Sequence, residues 1–216
     1  MTDNSIWDNR IAVLELLTLS FAYPTQALAD AVDSGEWIEA AKRCAEALGL
    51  DANALPDMEF NPSCSTLTAL KAESTRLFIG APFPAVMPYE GVNRSGDPFK
   101  AMLYVNKHAK QVQDFMIACG VGLAEGNDPM DHVATEIELL FHLALAAAGE
   151  PADIKLLDES ALPGGSAAAA YRQFFAEHAS QWLPDFADKV AQATELGFFR
   201  IAALLLGTFF LSSQDA

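Results

Sequence analysis

Asp131, His132 and Glu136 are the residues of this sequence best placed to do chemistry together. Two carboxylates flanking an imidazole can hold and pass a proton, or can pair with a guanidinium. His132 and Glu136 are four residues apart, so a helix brings them onto one edge, together with Leu139 and Leu143. Asp131 and His132 are sequence neighbours and do not face each other on a helix. Glu138 and His142 have the same four-residue spacing, but the helical wheel turns them away from that edge. Two functions from different classes follow. One is an enzyme in which His132 is a general base partnered by Asp131 or Glu136, which requires a closed pocket. The other is a recognition site in which Asp131 and Glu136 receive an arginine, a pair of that kind being worth roughly 1.5–3 kcal/mol when desolvated.

Other chemistries lack their residues. The histidines His108 and His178 lie on elements apart from His132 and His142, and the sequence holds no HExxH and no repeated Glu-x-x-His. The three cysteines, Cys44, Cys64 and Cys119, are widely spaced and form no CxxC pair. They read as reduced and structural. No metal site and no cofactor is expected. Neither GxxxxGK[ST] nor GxGxxG occurs, so a standard nucleotide loop is missing. The net charge is −16, which supplies no basic footprint for nucleic acid and disfavours anionic membranes. It favours a basic partner.

The elements that must position these residues read as helices. Asp128-Pro129 is the expected start of a helix running from Val133 to Ala148, with Pro129 in its first turn, Asp128 as cap and Gly149 as stop. Earlier helices are expected over Ser5–Phe21, from a Thr25 cap to about Val32, over Ser34–Leu48 and over Ser63–Ile79. A helix from Asp97-Pro98 to about Ala118 follows, with Met102, Val105, Ala109, Val112, Phe115 and Met116 on its apolar face. After a loop over 150–165, Ser166 caps a helix to about Trp182. Leu183-Pro184 breaks it, Asp185–Ala193 resumes, and Glu195–Leu211 is the last helix, leaving a frayed tail. The segment Ala81–Gly91 is unlike its neighbours, with three prolines and two aromatics (Phe83 and Tyr89) in eleven residues. It cannot be helical, and it reads as a packed loop or the wall of a binding groove.

No strand pattern and no fixed-period repeat is visible. The fold class is all-α: a single domain over 1–216 of about eight to nine helices, with a larger portion over about 5–149, a hinge loop over 150–165 and terminal helices over 166–211. Such a loop would allow the terminal helices to be exchanged between chains, giving a monomer or a domain-swapped dimer. The N-terminal residues lack the order of a secretory or twin-arginine leader, which leads to a cytoplasmic expectation.

Three sets of residues together resemble the TorD/DmsD family of cytoplasmic maturation chaperones for molybdoenzymes. The first is Glu73-x-x-Arg76-Leu77-Phe78-x-Gly80 followed by Pro84 and Pro88-Tyr89-Glu90-Gly91-Val92. The second is Asp128-Pro129-Met130-Asp131-His132 opening an apolar helix. The third is Phe174-Phe175-x-x-His178, Trp182-Leu183-Pro184-x-Phe186 and Phe198-Phe199 through Phe210-Leu211. The resemblance spans about Ser5 to Leu211. It implies an all-helical fold and, as partner, the twin-arginine signal peptide and catalytic subunit of an apo-molybdoenzyme, held until its molybdopterin is inserted. The peptide-binding positions it implies are Leu77, Phe78, Pro88, Tyr89, Glu90, Asp131 and His132. Gly91 stands where the family pattern has Ser, and Asn93 where many relatives carry an aromatic. Relatives called NarJ share the fold more loosely, and some relatives bind guanine nucleotides weakly.

Overall fold

The computed structural model describes residues 3–58, 60, 64–95, 106–122, 129–151 and 154–212. Every regular element among them is helical, as the sequence predicts. The one strand-like feature among them is an isolated antiparallel bridge between Tyr89 and His132. Among the described residues ten α-helices are present: α1 Asp3–Phe21, α2 Gln26–Asp33, α3 Glu36–Ala47, α4 Thr66–Ser74, α5 Glu90–Asn93, α6 Lys107–Ala118, α7 Val133–Ala148, α8 Ala167–Glu177, α9 Leu183–Ala193 and α10 Gly197–Ser212. No single helix among the described residues is long and apolar enough to cross a membrane. The expected helix start at Asp97-Pro98, with Met102 and Val105, lies outside the described residues. So do Asp128 and the tail over 213–216.

Local chemistry explains most of these boundaries. Thr25, Ser65 and Ser166 each accept a backbone N–H of the first turn, from Leu28, Thr68 and Ala169 respectively. Gly49 and Gly149 take left-handed φ values of 75° and 79° just past α3 and α7, where a side chain would be strained. Pro184 does not break a helix into a loop. It lies in the first turn of α9, where its missing N–H costs nothing. The helix expected to reach Trp182 ends at Glu177, and a 3₁₀ turn over Ala179–Gln181 follows.

The described chain forms two compact units. The first comprises 1–15 and 88–182, and the loop over 150–165 lies within it. Its buried residues include Val112, Phe115 and Met116 of α6, Val133, Ile137, Leu140 and Leu143 of α7, and Ala170, Tyr171 and Phe174 of α8. Phe115 and Phe174 meet with ring centres 5.1 Å apart.

The second unit comprises 16–87 and 183–216. It buries Leu17 and Phe21 of α1, Trp37 of α3, Leu70 of α4 and most of the apolar α10. Trp37 lies 4.4 Å from Phe198, centre to centre, and its indole donates to Ser20. Beyond α4 the backbone widens into a π-turn over Thr75–Ile79, closed by the Gly80 N–H on the Thr75 carbonyl. The proline-rich segment returns along this turn: Ala85 N–H donates to Arg76 and Val86 N–H to Leu77. Glu73 is the polar anchor of the unit. It accepts from Arg76, from the Thr194 hydroxyl and from the Glu195 N–H.

Candidate functional site

The Tyr89–His132 bridge organises the first unit. Glu90 N–H donates to the Asp131 carbonyl and Val133 N–H to the Pro88 carbonyl, both at 2.9 Å. Two segments about forty residues apart therefore run antiparallel, and the Tyr89 and His132 rings sit 5.5 Å apart, nearly edge to face. This pairing corrects the expected helix start. Residues 129–132 are not in α7. Pro129 precedes the helix, and its carbonyl accepts from the His132 N–H. His132 is the cap: its backbone is extended, and its Nδ1 accepts from the Ala134 N–H at 3.2 Å. That bond requires an unprotonated Nδ1.

Asp131 does not serve α7 at all. Its carboxylate accepts from the Gly91 N–H at 3.1 Å, within the first turn of α5. The Gly91 carbonyl in turn accepts from the Asn106 side chain at 2.6 Å. A Cβ on Gly91 would lie 2.8 Å from Asn106 Cγ and 3.0 Å from an Asp131 oxygen. The glycine at this position is a packing requirement, set by two polar side chains closing on its backbone. Burial raises the Asp131 carboxyl above its ordinary value against the Gly91 N–H, which lowers it, and the Glu90 charge adds to the rise.

Behind this pairing lies a buried acid cluster. Glu90 and Glu136 are both fully buried. Glu136 accepts the Trp182 indole N–H at 3.0 Å. Burial first, and then the charge of Glu90, push the Glu136 carboxyl well above the ordinary range, with Asp131 adding to the effect and Trp182 opposing it. The proton on Glu136 is thus held more tightly than on an ordinary glutamate, beside the Glu90 carboxylate. On its other side Glu90 meets Arg94 and His178. Arg94, one helical turn on, pairs with it and also donates to the Glu177 carbonyl at 2.9 Å. His178 places Nδ1 3.1 and 3.2 Å from the two Glu90 oxygens. His108 is pushed down by burial and by the Arg94 charge, so it is neutral here.

The residues singled out by sequence thus fall into two places. Pro88, Tyr89, Glu90, Asp131 and His132 come together in the first unit, and Glu136 joins them through the acid cluster. Tyr89 is half-buried, while the other five are buried. Leu77 and Phe78 belong to the second unit, where Phe78 packs on Phe21, Phe186 and Phe199 at 5.8–6.1 Å. Arg94, Asn106, His178 and Trp182 are members of the cluster that the sequence reading gave no site role. For His178 and Trp182 a signal existed, because both stand in the quoted C-terminal pattern. His142 is buried, whereas Glu138 on the same face of α7 is exposed and 3.9 Å from it. Among the described residues no group of three or more His, Cys, Asp or Glu is arranged to hold a metal. Cys119 is buried, and burial pushes its thiol up to about 11, which keeps it unreactive.

Chaperone protein TorD of Vibrio cholerae serotype O1 (El Tor Inaba) is 30% identical over 141 residues, covering 65% of this chain and 58% of the relative. Chaperone protein TorD of Vibrio parahaemolyticus serotype O3:K6 is 28% identical over 143 residues, covering 65% and 60%. The chain therefore spans less than two thirds of the length of these relatives. No solved structure matches. The profile of the nitrate reductase delta subunit family matches residues 38–188, from the start of α3 into α9, and with well over half of its length matched the chain belongs to that family, among its TorD-like chaperones.

Proposed function

We propose that this chain is a cytoplasmic maturation chaperone, and not an enzyme, for a molybdopterin-dependent oxidoreductase. It binds the twin-arginine signal peptide and the apo form of that client, and holds it back from export until the cofactor is in place. The observation that carries this reading is the Tyr89–His132 pairing. It joins the two motif segments and sets the half-buried Tyr89 beside His132 and the Glu90–Asp131 pair. An arginine pair followed by an apolar stretch is complementary to acids beside an aromatic and proline surface. The net charge of −16 steers such a basic peptide toward the protein. The relatives' name, Chaperone protein TorD, supports the same reading.

Pro88, Tyr89, Glu90, Asp131 and His132 are the proposed peptide-binding residues. Leu77 and Phe78, the other two positions the family resemblance implies, belong to the second unit, where the Leu77 carbonyl accepts from the Val86 N–H.

Titration calorimetry with a twin-arginine signal peptide tests the proposal. Asp131→Ala and Tyr89→Ala are each expected to weaken binding by about tenfold or more while the protein stays folded by circular dichroism. Unchanged affinity in both variants would sink the site assignment.

A further inference from the structure

The chain departs from the family pattern at Gly91, which stands where the pattern has Ser. The side chain of Asn106 closes on that glycine. Its Nδ2 donates to the Gly91 carbonyl at 2.6 Å, and its Oδ1 accepts from the His108 N–H at 2.9 Å as the cap of α6. One end of the carboxamide meets an acceptor and the other a donor, so the group fits only one way round. Asp131 closes on the glycine as well, its carboxylate accepting from the Gly91 N–H at 3.1 Å. A Cβ on Gly91 would lie 2.8 Å from Asn106 Cγ and 3.0 Å from both Asn106 Oδ1 and an Asp131 oxygen. The two side chains therefore converge on the one position that a side chain at 91 would take.

This grip fixes the direction of the Asp131 carboxylate. Gly91 lies in α5, a helix of four residues that is too short to hold its own backbone, and glycine is the residue with the most freedom to turn. With the Gly91 carbonyl held by Asn106, the Gly91 N–H has a set direction, and the Asp131 oxygen that accepts it is set in turn. The same N–H opposes the burial that raises the Asp131 carboxyl, and so favours its charged form. A carboxylate oxygen that accepts one N–H keeps a second lone pair, which leaves Asp131 able to receive a cation. A carboxylate fixed in one plane suits the two parallel bonds of a guanidinium. An ammonium is a point charge and gains nothing from that plane.

We propose, resting on the peptide reading above, that Asn106 is a positioning residue that sets a preference for arginine over lysine in the bound peptide, by holding Gly91 and through it the Asp131 carboxylate. Asn106 does this without touching the peptide. A side chain at 91 and the carboxamide at 106 exclude each other in this arrangement, so the departure from Ser at 91 and the asparagine at 106 belong to one device.

The test is calorimetric titration of the full chain with two synthetic peptides, one carrying an Arg-Arg pair ahead of a leucine–alanine stretch and the other its Lys-Lys counterpart. The quantity read is the ratio of the two affinities. A general loss of folded protein leaves that ratio unchanged, because both peptides meet the same folded fraction. The wild type is expected to favour the arginine peptide by about tenfold. Asn106→Ser still caps α6 but is too short to hold the Gly91 carbonyl, and its ratio is expected to fall to about threefold or less. Should that variant unfold, Asn106→Asp takes its place, since it keeps the cap and the size but has no donor, and the same fall is expected. Asp131→Ala is expected to weaken both peptides and to erase the preference. A preference kept in the Asn106 variant while Asp131→Ala loses it overturns this inference and leaves the peptide reading standing, and a wild type that binds both peptides alike overturns it too. If the wild type binds neither peptide, or Asp131→Ala binds both as the wild type does, the peptide reading fails and this inference falls with it.

Discussion

The Trp182 indole N–H meets a Glu136 oxygen at 3.0 Å, with both side chains buried. The bond links the middle of the acid cluster to the last residue of the first unit. Trp182→Phe keeps an aromatic ring but removes the donor and leaves part of the indole volume empty. We expect a loss of about 2–3 kcal/mol, combining an unsatisfied buried oxygen with a small cavity. Urea unfolding would read it as a lower midpoint at unchanged slope, and an unmoved midpoint would show the bond to be energetically idle.

Glu136 gives a pH dependence of definite sign. In the unfolded chain its carboxyl ionises near 4.5, while in the folded protein burial and the Glu90 charge keep the proton on to a higher pH. Its contribution to stability is therefore complete below the unfolded value and declines as pH rises toward the folded one. Gln cannot ionise and can still accept from Trp182. Glu136→Gln should match the wild type near pH 4 and exceed it increasingly between pH 5 and 8. Unfolding curves across that range check this; parallel pH profiles for the two proteins would contradict it.

Glu73, in the second unit, has the opposite sign. Burial raises its carboxyl, but Arg76, the Glu195 N–H and the Thr194 hydroxyl outweigh that and hold it below its ordinary value. The stabilisation is present above about pH 4.5 and is lost on acidification through the lower folded value. Glu73→Gln should cost about 1–3 kcal/mol at pH 7, and the gap to the wild type should close as the pH falls toward 3. A gap that stays constant on acidification would mean that the anion is not what the unit depends on.

Gly91→Ala tests the close approach in α5. The added Cβ would meet Asn106 and Asp131 at 2.8–3.0 Å, and overpacking of this kind costs about 1–3 kcal/mol. Shortening the neighbour in the double variant Gly91→Ala/Asn106→Ala should return part of that loss despite removing a hydrogen bond. Thermal melts of the single and double variants would show it, and additive losses would rule out the steric account.

What the sequence made legible was whatever is local. The caps at Thr25 and Ser166 and the stop at Gly149 act within a few residues, and the apolar spacing of α7 is a one-helix property. The start of α7 was misread because local propensity favours Pro129 in a first turn. A backbone pairing with Tyr89, set forty-odd residues earlier, holds 131–132 extended instead. The cluster around Glu136 was hidden for the same reason. Trp182 reaches Glu136 over 46 residues, and His178 reaches Glu90 over 88. Periodicity places Glu136 on an edge of a helix but says nothing of the two side chains that come from elsewhere to meet it. The family resemblance brought Glu90, Asp131 and His132 onto one page, and the geometry adds Arg94, Asn106, His178 and Trp182 to their company.

The chain path through the two units bears on how the protein is made. Residues 1–15 belong to the first unit, 16–87 to the second, 88–182 to the first and 183–216 to the second again. During synthesis the opening half of α1 must wait for α5 to α8 to emerge before its unit can close. The second unit, although most of it is translated earlier, is left without α9 and α10 until the final stretch has been made. Neither unit is a contiguous piece that could be cut out and expressed alone. A ribosome-bound intermediate of this chain would expose apolar helix faces of both units, so a protein proposed to guard the assembly of another completes its own units only late in synthesis.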